Sequence, residues 1–138
     1  MGTLSSYEKD IIKKVLRRDS VEIFDSYDNT FIQIKSQFIL KDASVLASNE
    51  SLLFDILLDS FAIKLSTEMD MHRIYYHIYS QTLSKGVFLI SEVNNQDSFA
   101  TSLTIVYSNA NWYEREIFEK QGIIFVEHPD LRKMFVHY

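Results

Sequence analysis

The sequence predicts a single α+β domain over residues 1–138. Three observations carry that prediction. Apolar residues recur at helical spacing from Tyr7 to Leu16. Two later segments, Arg73–Tyr79 and Gly86–Val93, are rich in β-branched and aromatic residues. No repeat, low-complexity tract or Pro/Gly-rich linker divides the chain, and its only proline is Pro129. A chain of this size buries roughly 70% of its unfolded surface and needs no covalent staples to fold.

Each element has its own local reason. Ser5-Ser6-Tyr7-Glu8 has capping-box spacing, and Tyr7, Ile11, Ile12, Val15 and Leu16 follow at helical intervals. This predicts a first helix of about three turns, apolar on one side and Lys/Arg-rich on the other. Val21–Phe24 and Phe31–Lys35 read as short strands around a Ser26-Tyr27-Asp28-Asn29 turn, a hairpin signal. Lys41–Ser48 is helix-compatible. Leu52–Leu58, dense in Leu and Ile, is expected to form a short buried helix, and Phe61–Leu65 a strand. Arg73–Tyr79 and Gly86–Val93 are joined by a polar link and are expected to pair antiparallel. Phe99–Tyr107 fits a helix through Phe99, Leu103, Val106 and Tyr107, and fits alternation through Phe99, Leu103, Ile105 and Tyr107. Asn111 stands three residues before Glu114, again capping-box spacing, which predicts a helix from Trp112 to a stop at Gly122.

Composition removes whole classes of chemistry. With no cysteine there is no disulfide framework, thiolate nucleophile, iron–sulfur ligand set or thiolate zinc site. Glycine occurs only at positions 2, 86 and 122, so no Gly-rich phosphate loop or dinucleotide fingerprint exists. No serine sits in a Gly-x-Ser-x-Gly elbow. The longest apolar candidate, Leu52–Leu65, is broken by Asp55, Asp59 and Lys64 and falls short of the roughly 20 residues that span a bilayer. Met1-Gly2-Thr3 leads directly into a charged amphipathic stretch, unlike a signal peptide. The expectation is a soluble, intracellular protein, peripheral if it meets a membrane, without direct membrane insertion.

Net charge is −5 and unevenly spread. Residues 1–18 carry five basic and two acidic groups, and residues 19–70 carry three basic and ten acidic. An acidic body argues against nucleic acid as a partner, because phosphates demand a basic face.

The densest charge lies between Asn109 and Phe135, where Glu114 and Glu116 with two arginines and a histidine could suggest an active site. Helical geometry argues otherwise. Glu114 and Glu116 are two positions apart, about 200° around the axis, so they cannot act as a general acid/base pair. Glu116 and Lys120 stand in the favourable i,i+4 order, and Arg115 and Glu119 in the reverse one. His72 and His77 are five apart in a strand and face opposite ways, so they cannot share a metal, and His128 and His137 lack co-ligands at suitable spacing. What remains is an interaction surface. Trp112, Tyr113 and Arg115 are residue types enriched in interface hot spots, and Arg132 follows a His128-Pro129-Asp130 turn whose proline fixes the backbone. The competing reading packs Trp112 and Tyr113 inward, and one aromatic could do each.

These residues carry a resemblance. Ala110, Asn111, Trp112, Tyr113, Glu114, Arg115, Glu116, Phe118, Gly122, Ile123, Phe125, His128, Pro129, Asp130, Leu131 and Arg132 match, in type and spacing, the C-terminal signature of the respiratory-chain NADH dehydrogenase thirty-kilodalton subunit family, the C-subunit of NADH:quinone oxidoreductase (complex I). The Leu-rich stretch from Leu52 and the Tyr-rich stretch from Arg73 look like the family's central segments, so the likeness runs roughly from Leu52 to Lys133. The resemblance implies a two-layer fold with a mixed sheet of about five strands and helices packed on one face. It implies a non-catalytic structural subunit without a cofactor, docked against the large quinone-site subunit in the peripheral arm, on the cytoplasmic face of the membrane. Trp112, Tyr113, Glu114, Arg115, Glu116, His128, Pro129, Asp130 and Arg132 would then be the partner-binding residues.

The family also has members in membrane-bound hydrogenase and formate hydrogenlyase complexes, an assignment the residues leave open. A free-standing regulatory or small-molecule-binding module is the rival from another class. Three positions depart from the family's pattern: Lys120 and Gln121 stand where apolar residues are usual, and Glu127 where glycine is. The departure at Gln121 suggests a helix end that is more exposed or meets a different neighbour.

Overall fold

The structure, a computed structural model, describes residues 2–17, 21–66, 70–94 and 99–126. Its first helix, α1 (Ser6–Leu16), opens with the capping box expected from sequence. The Ser5 hydroxyl accepts from the Glu8 backbone N–H at 3.2 Å, and the Ser5 N–H donates to the Glu8 carboxylate at 2.8 Å. Two N–H groups that a helix start leaves orphaned are thus satisfied reciprocally. Ile12 and Leu16 are buried, while Lys9 and Glu8 reach outward to Asp25 at 2.7 Å and Lys85 at 2.8 Å.

A hairpin follows, β1 (Glu22–Ser26) and β2 (Asn29–Gln33), joined through Tyr27 and Asp28. Both turn residues have positive φ, 50° and 63°, the signature of a type I′ turn. After a 3-10 turn at Ser36–Phe38, α2 (Ile39–Ser48) buries Ile39, Ala43 and Leu46.

The buried helix expected over Leu52–Leu58 does not form. Leu52 and Leu53 donate to the Asn49 carbonyl, and Phe54 donates back to Leu46 at 2.9 Å, with Leu53 at φ 48°. The chain therefore reverses off the end of α2 and enters β3 (Ile56–Ser66). Leu52 and Phe54 are fully buried anchors of that reversal. A short apolar run buries equally well as a helix or as a loop leading into a strand, so composition alone misassigned it. The Ser80 hydroxyl locks the reversal by donating to the Leu52 carbonyl, and the Tyr107 hydroxyl donates to the Phe54 carbonyl at 2.6 Å.

β4 (Met71–Ser80) and β5 (Lys85–Asn94) pair antiparallel as expected. The five strands lie in the order β1-β2-β5-β4-β3, and the sheet is mixed because β2 runs parallel to β5. One face carries Ile32, Ile74, Tyr76, Ile78, Val87 and Leu89 into a common core with α1 and α2. Phe99–Tyr107, ambiguous in sequence, contains only a two-residue strand, β6 (Ala100–Thr101), followed by a turn in which Val106 and Tyr107 donate to the Leu103 carbonyl.

The last helix, α3 (Ala110–Gln121), begins two residues before the expected Trp112 and ends at Gly122, whose φ of 73° and N–H bond to Phe118 form a left-handed cap. The expected Asn111–Glu114 capping box is absent. Asn109 occupies the cap position, and Glu114 is turned into the protein. β7 (Phe125–Val126) then pairs parallel with β6.

Candidate docking site

α3 is the element on which the sequence concentrates its signal, and its sides do different work. Positions 109, 113, 117 and 121 succeed one another at i,i+4 and so share one side of the helix. That side lies along β3, an edge strand of the sheet. Asn109 Nδ2 donates to the Leu57 carbonyl at 2.9 Å, the Tyr113 hydroxyl to Leu58 at 3.1 Å, and Gln121 Nε2 to Ala62 at 2.9 Å. Ile117, between them, is buried. An open strand edge invites pairing with another chain, and here side-chain donors of α3 take the Leu57, Leu58 and Ala62 carbonyls instead. Gln121 thus meets its neighbour within the chain.

Inward, Glu114 is fully buried. Its carboxylate accepts from the Ser102 hydroxyl at 2.7 Å, the Leu103 N–H at 2.8 Å and the Thr104 hydroxyl at 3.3 Å. Burial pushes its pKa up to about 7, and these three donors pull the other way without cancelling the desolvation. Its placement corrects the expectation that Glu114 faces a partner: the side chain fastens the 102–104 turn onto α3.

Outward, Trp112 is 68% exposed, and the Arg115 guanidinium lies 5.8 Å from its ring centroid, a cation–π arrangement one helical turn apart. Arg115 Nε is shielded from solvent and makes no hydrogen bond among the described residues. Glu116 pairs with Lys120 at 2.6 Å on the solvated side, where such a pair contributes a few tenths of a kcal/mol. Of the two aromatics, Trp112 faces out and Tyr113 reaches the sheet edge. Glu114 and Glu116 do diverge, one buried and one exposed. His128, Pro129, Asp130 and Arg132, with Glu127, lie outside the described residues.

The histidines also separate. His72 is buried on the core face, 3.1 Å from Asp70, whereas His77 stacks on Phe88 on the opposite face at 4.2 Å. That second face holds the residues the sequence reading missed, a row of aromatics across all five strands. Their signal was present. β4 carries Tyr75, His77 and Tyr79 on the parity that a solvated face would fill with small polar residues.

The family described as the respiratory-chain NADH dehydrogenase, 30 Kd subunit, matches residues 32–138. The chain belongs to that family. Among curated relatives, the NADH-quinone oxidoreductase C-subunit of Parvibaculum lavamentivorans is 30% identical over 104 residues, covering 75% of this chain and 52% of the relative. The chain thus spans about half the length of the curated relatives it matches. The fold agrees with two solved structures. The trypsin-resistant fragment (1-134) of Nqo5 superposes with a TM-score of 0.72 at 20% identity, covering 90% of this chain and 98% of the fragment. A chain of the membrane-bound sulfane sulfur reductase, an archaeal respiratory membrane complex, superposes with a TM-score of 0.74 at 14% identity, covering 91% of this chain and 74% of that one. The five-stranded mixed sheet and α+β architecture are those of the 30 Kd subunit family. Among the described residues, no helix of this family member is long and apolar enough to cross a membrane.

Proposed function

We infer that this chain is a non-catalytic structural subunit of a complex I-type NADH:quinone oxidoreductase. It docks against the large quinone-site subunit and its peripheral-arm neighbours and sits on the cytoplasmic face of the membrane. Membership of the 30 Kd subunit family supports the class of complex, and the outward Trp112–Arg115 pair carries the docking reading. Trp and Arg dominate interface hot spots, and here both stand on a rigid helix that the sheet edge and Glu114 hold in place. The proposed docking residues on α3 are Trp112, Arg115 and Glu116, with Tyr113 at their margin; His128, Pro129, Asp130 and Arg132 are proposed as partner-binding on the sequence signature alone.

The test is affinity purification of the tagged chain from native membranes. Recovery of a large quinone-site subunit supports the reading. Recovery of a hydrogenase large subunit instead would move the chain to the related hydrogenase complexes, and recovery of neither would overturn the subunit role.

A further inference from the structure

The core accounts for only one face of the sheet. Pairing places Phe24, Phe31, Phe88, Tyr75 and Phe61 on the other face, one from each strand in the spatial order of the sheet. Ring centroids stand 5.4 Å apart from Phe24 to Phe31, 5.2 Å from Phe31 to Phe88, 6.5 Å from Phe88 to Tyr75 and 4.9 Å from Tyr75 to Phe61. At the usual strand spacing the stripe is roughly 19 Å long. None of the five belongs to the core cluster. The two ends are exposed, Phe24 at 41% and Phe61 at 38%, and the stripe lines a depression of about 480 Å³. A contiguous aromatic surface left open to solvent marks an interaction site.

Charge identifies what fits there. The same face carries the carboxylates of Glu22, Asp59 and Glu92, with Lys35 beside Glu22 and Glu92, and so keeps a net negative charge. Its one guanidinium among the described residues, Arg73, is held by Glu92 at 2.7 Å. A second copy of the chain would bring carboxylates against carboxylates, and an anionic lipid surface would be repelled in the same way. At the β3 edge, side chains of α3 already hold the Leu57, Leu58 and Ala62 carbonyls, which disfavours strand addition there. An open sheet face is ordinarily covered by helices, which bury an apolar stripe against it. Tyr27, 96% exposed at the hairpin tip, borders the depression at a φ of 50° that disfavours its side chain, a local strain that suits a residue kept for contact.

We propose that this uncovered face seats an amphipathic helix from another polypeptide of the assembly, apolar toward the aromatic stripe and carrying lysine or arginine at its ends. The proposal rests on the subunit reading, and the experiment separates the two. p-Benzoylphenylalanine replaces Phe24 or Phe61, each in turn, in the tagged chain expressed in native cells, and irradiated membranes are purified and mapped by mass spectrometry. Adducts from both positions are expected on one segment of a second polypeptide, flanked by basic residues. Combining Glu22→Lys with Asp59→Lys is expected to lower the adduct yield about tenfold, the effect of losing roughly 1.4 kcal/mol of attraction. Adducts to a second copy or to lipid, or none while the other subunits still copurify, would overturn the proposal and leave the subunit reading standing. Copurification of no other subunit would overturn both.

Discussion

Gln121 Nε2 donates to the Ala62 carbonyl at 2.9 Å, tying the last turn of α3 to the outermost strand of the sheet. Replacing Gln121 with leucine keeps bulk and removes the donor. The variant is expected to lose about 1 kcal/mol of stability, the usual net value of one hydrogen bond, measured as a lower urea midpoint at unchanged slope. A midpoint equal to that of the wild type would show that this edge contact contributes nothing.

Glu114 makes stability depend on pH in an unusual direction for a carboxylate. Its pKa rises from 4.5 to about 7 on folding, so the unfolded chain releases this proton first. The contribution is fully present below about pH 4.5 and is lost as pH rises through 7, by a total on the order of 3 kcal/mol. Glu114→Gln removes the titration. The stability difference between wild type and Glu114→Gln, followed by denaturation from pH 4.5 to 8, should therefore shift against the wild type as pH rises. A constant difference would mean that the carboxyl does not titrate in this window.

The hairpin tip offers a stabilising change. Tyr27 occupies the first central position of a type I′ turn, where asparagine is preferred and an aromatic side chain is strained. Tyr27→Asn is expected to raise stability by roughly 0.5–1 kcal/mol, a rise of a few degrees in Tm by calorimetry. A lower Tm would show that the tyrosine ring contributes more to the fold than its exposure suggests.

Arg115→Glu tests whether the outward side of α3 serves assembly. Its guanidinium lies against the Trp112 ring and its side chain is half-buried, so the reversal is expected to cost no more than about 1 kcal/mol of stability. The isolated variant should still fold cooperatively, while recovery of the large subunit from native membranes drops sharply. Loss of folding with recovery unaffected per folded molecule would place Arg115 in the packing instead.

Some of this protein is local and legible in the sequence. The Ser5–Glu8 capping box, the Tyr27–Asp28 turn, the Gly122 stop and the β4–β5 pair each depend on a few neighbouring residues, and each forms as read. The divergence of Glu114 and Glu116 follows from helical period alone, and the Trp112–Arg132 signature is enough to suggest the family. Tertiary structure decided the rest. Whether Leu52–Leu58 becomes a helix depends on where its apolar side chains find a core, and the turn off α2 supplied one. Glu114 has the spacing of a capping residue, yet the Ser102, Leu103 and Thr104 donors offered its carboxylate a better set of partners than its own helix end. Gln121 reads as a departure until the edge of β3 is set beside it. The aromatic stripe is the clearest case, because its five rings come from five strands and become neighbours only when the register of the sheet is set.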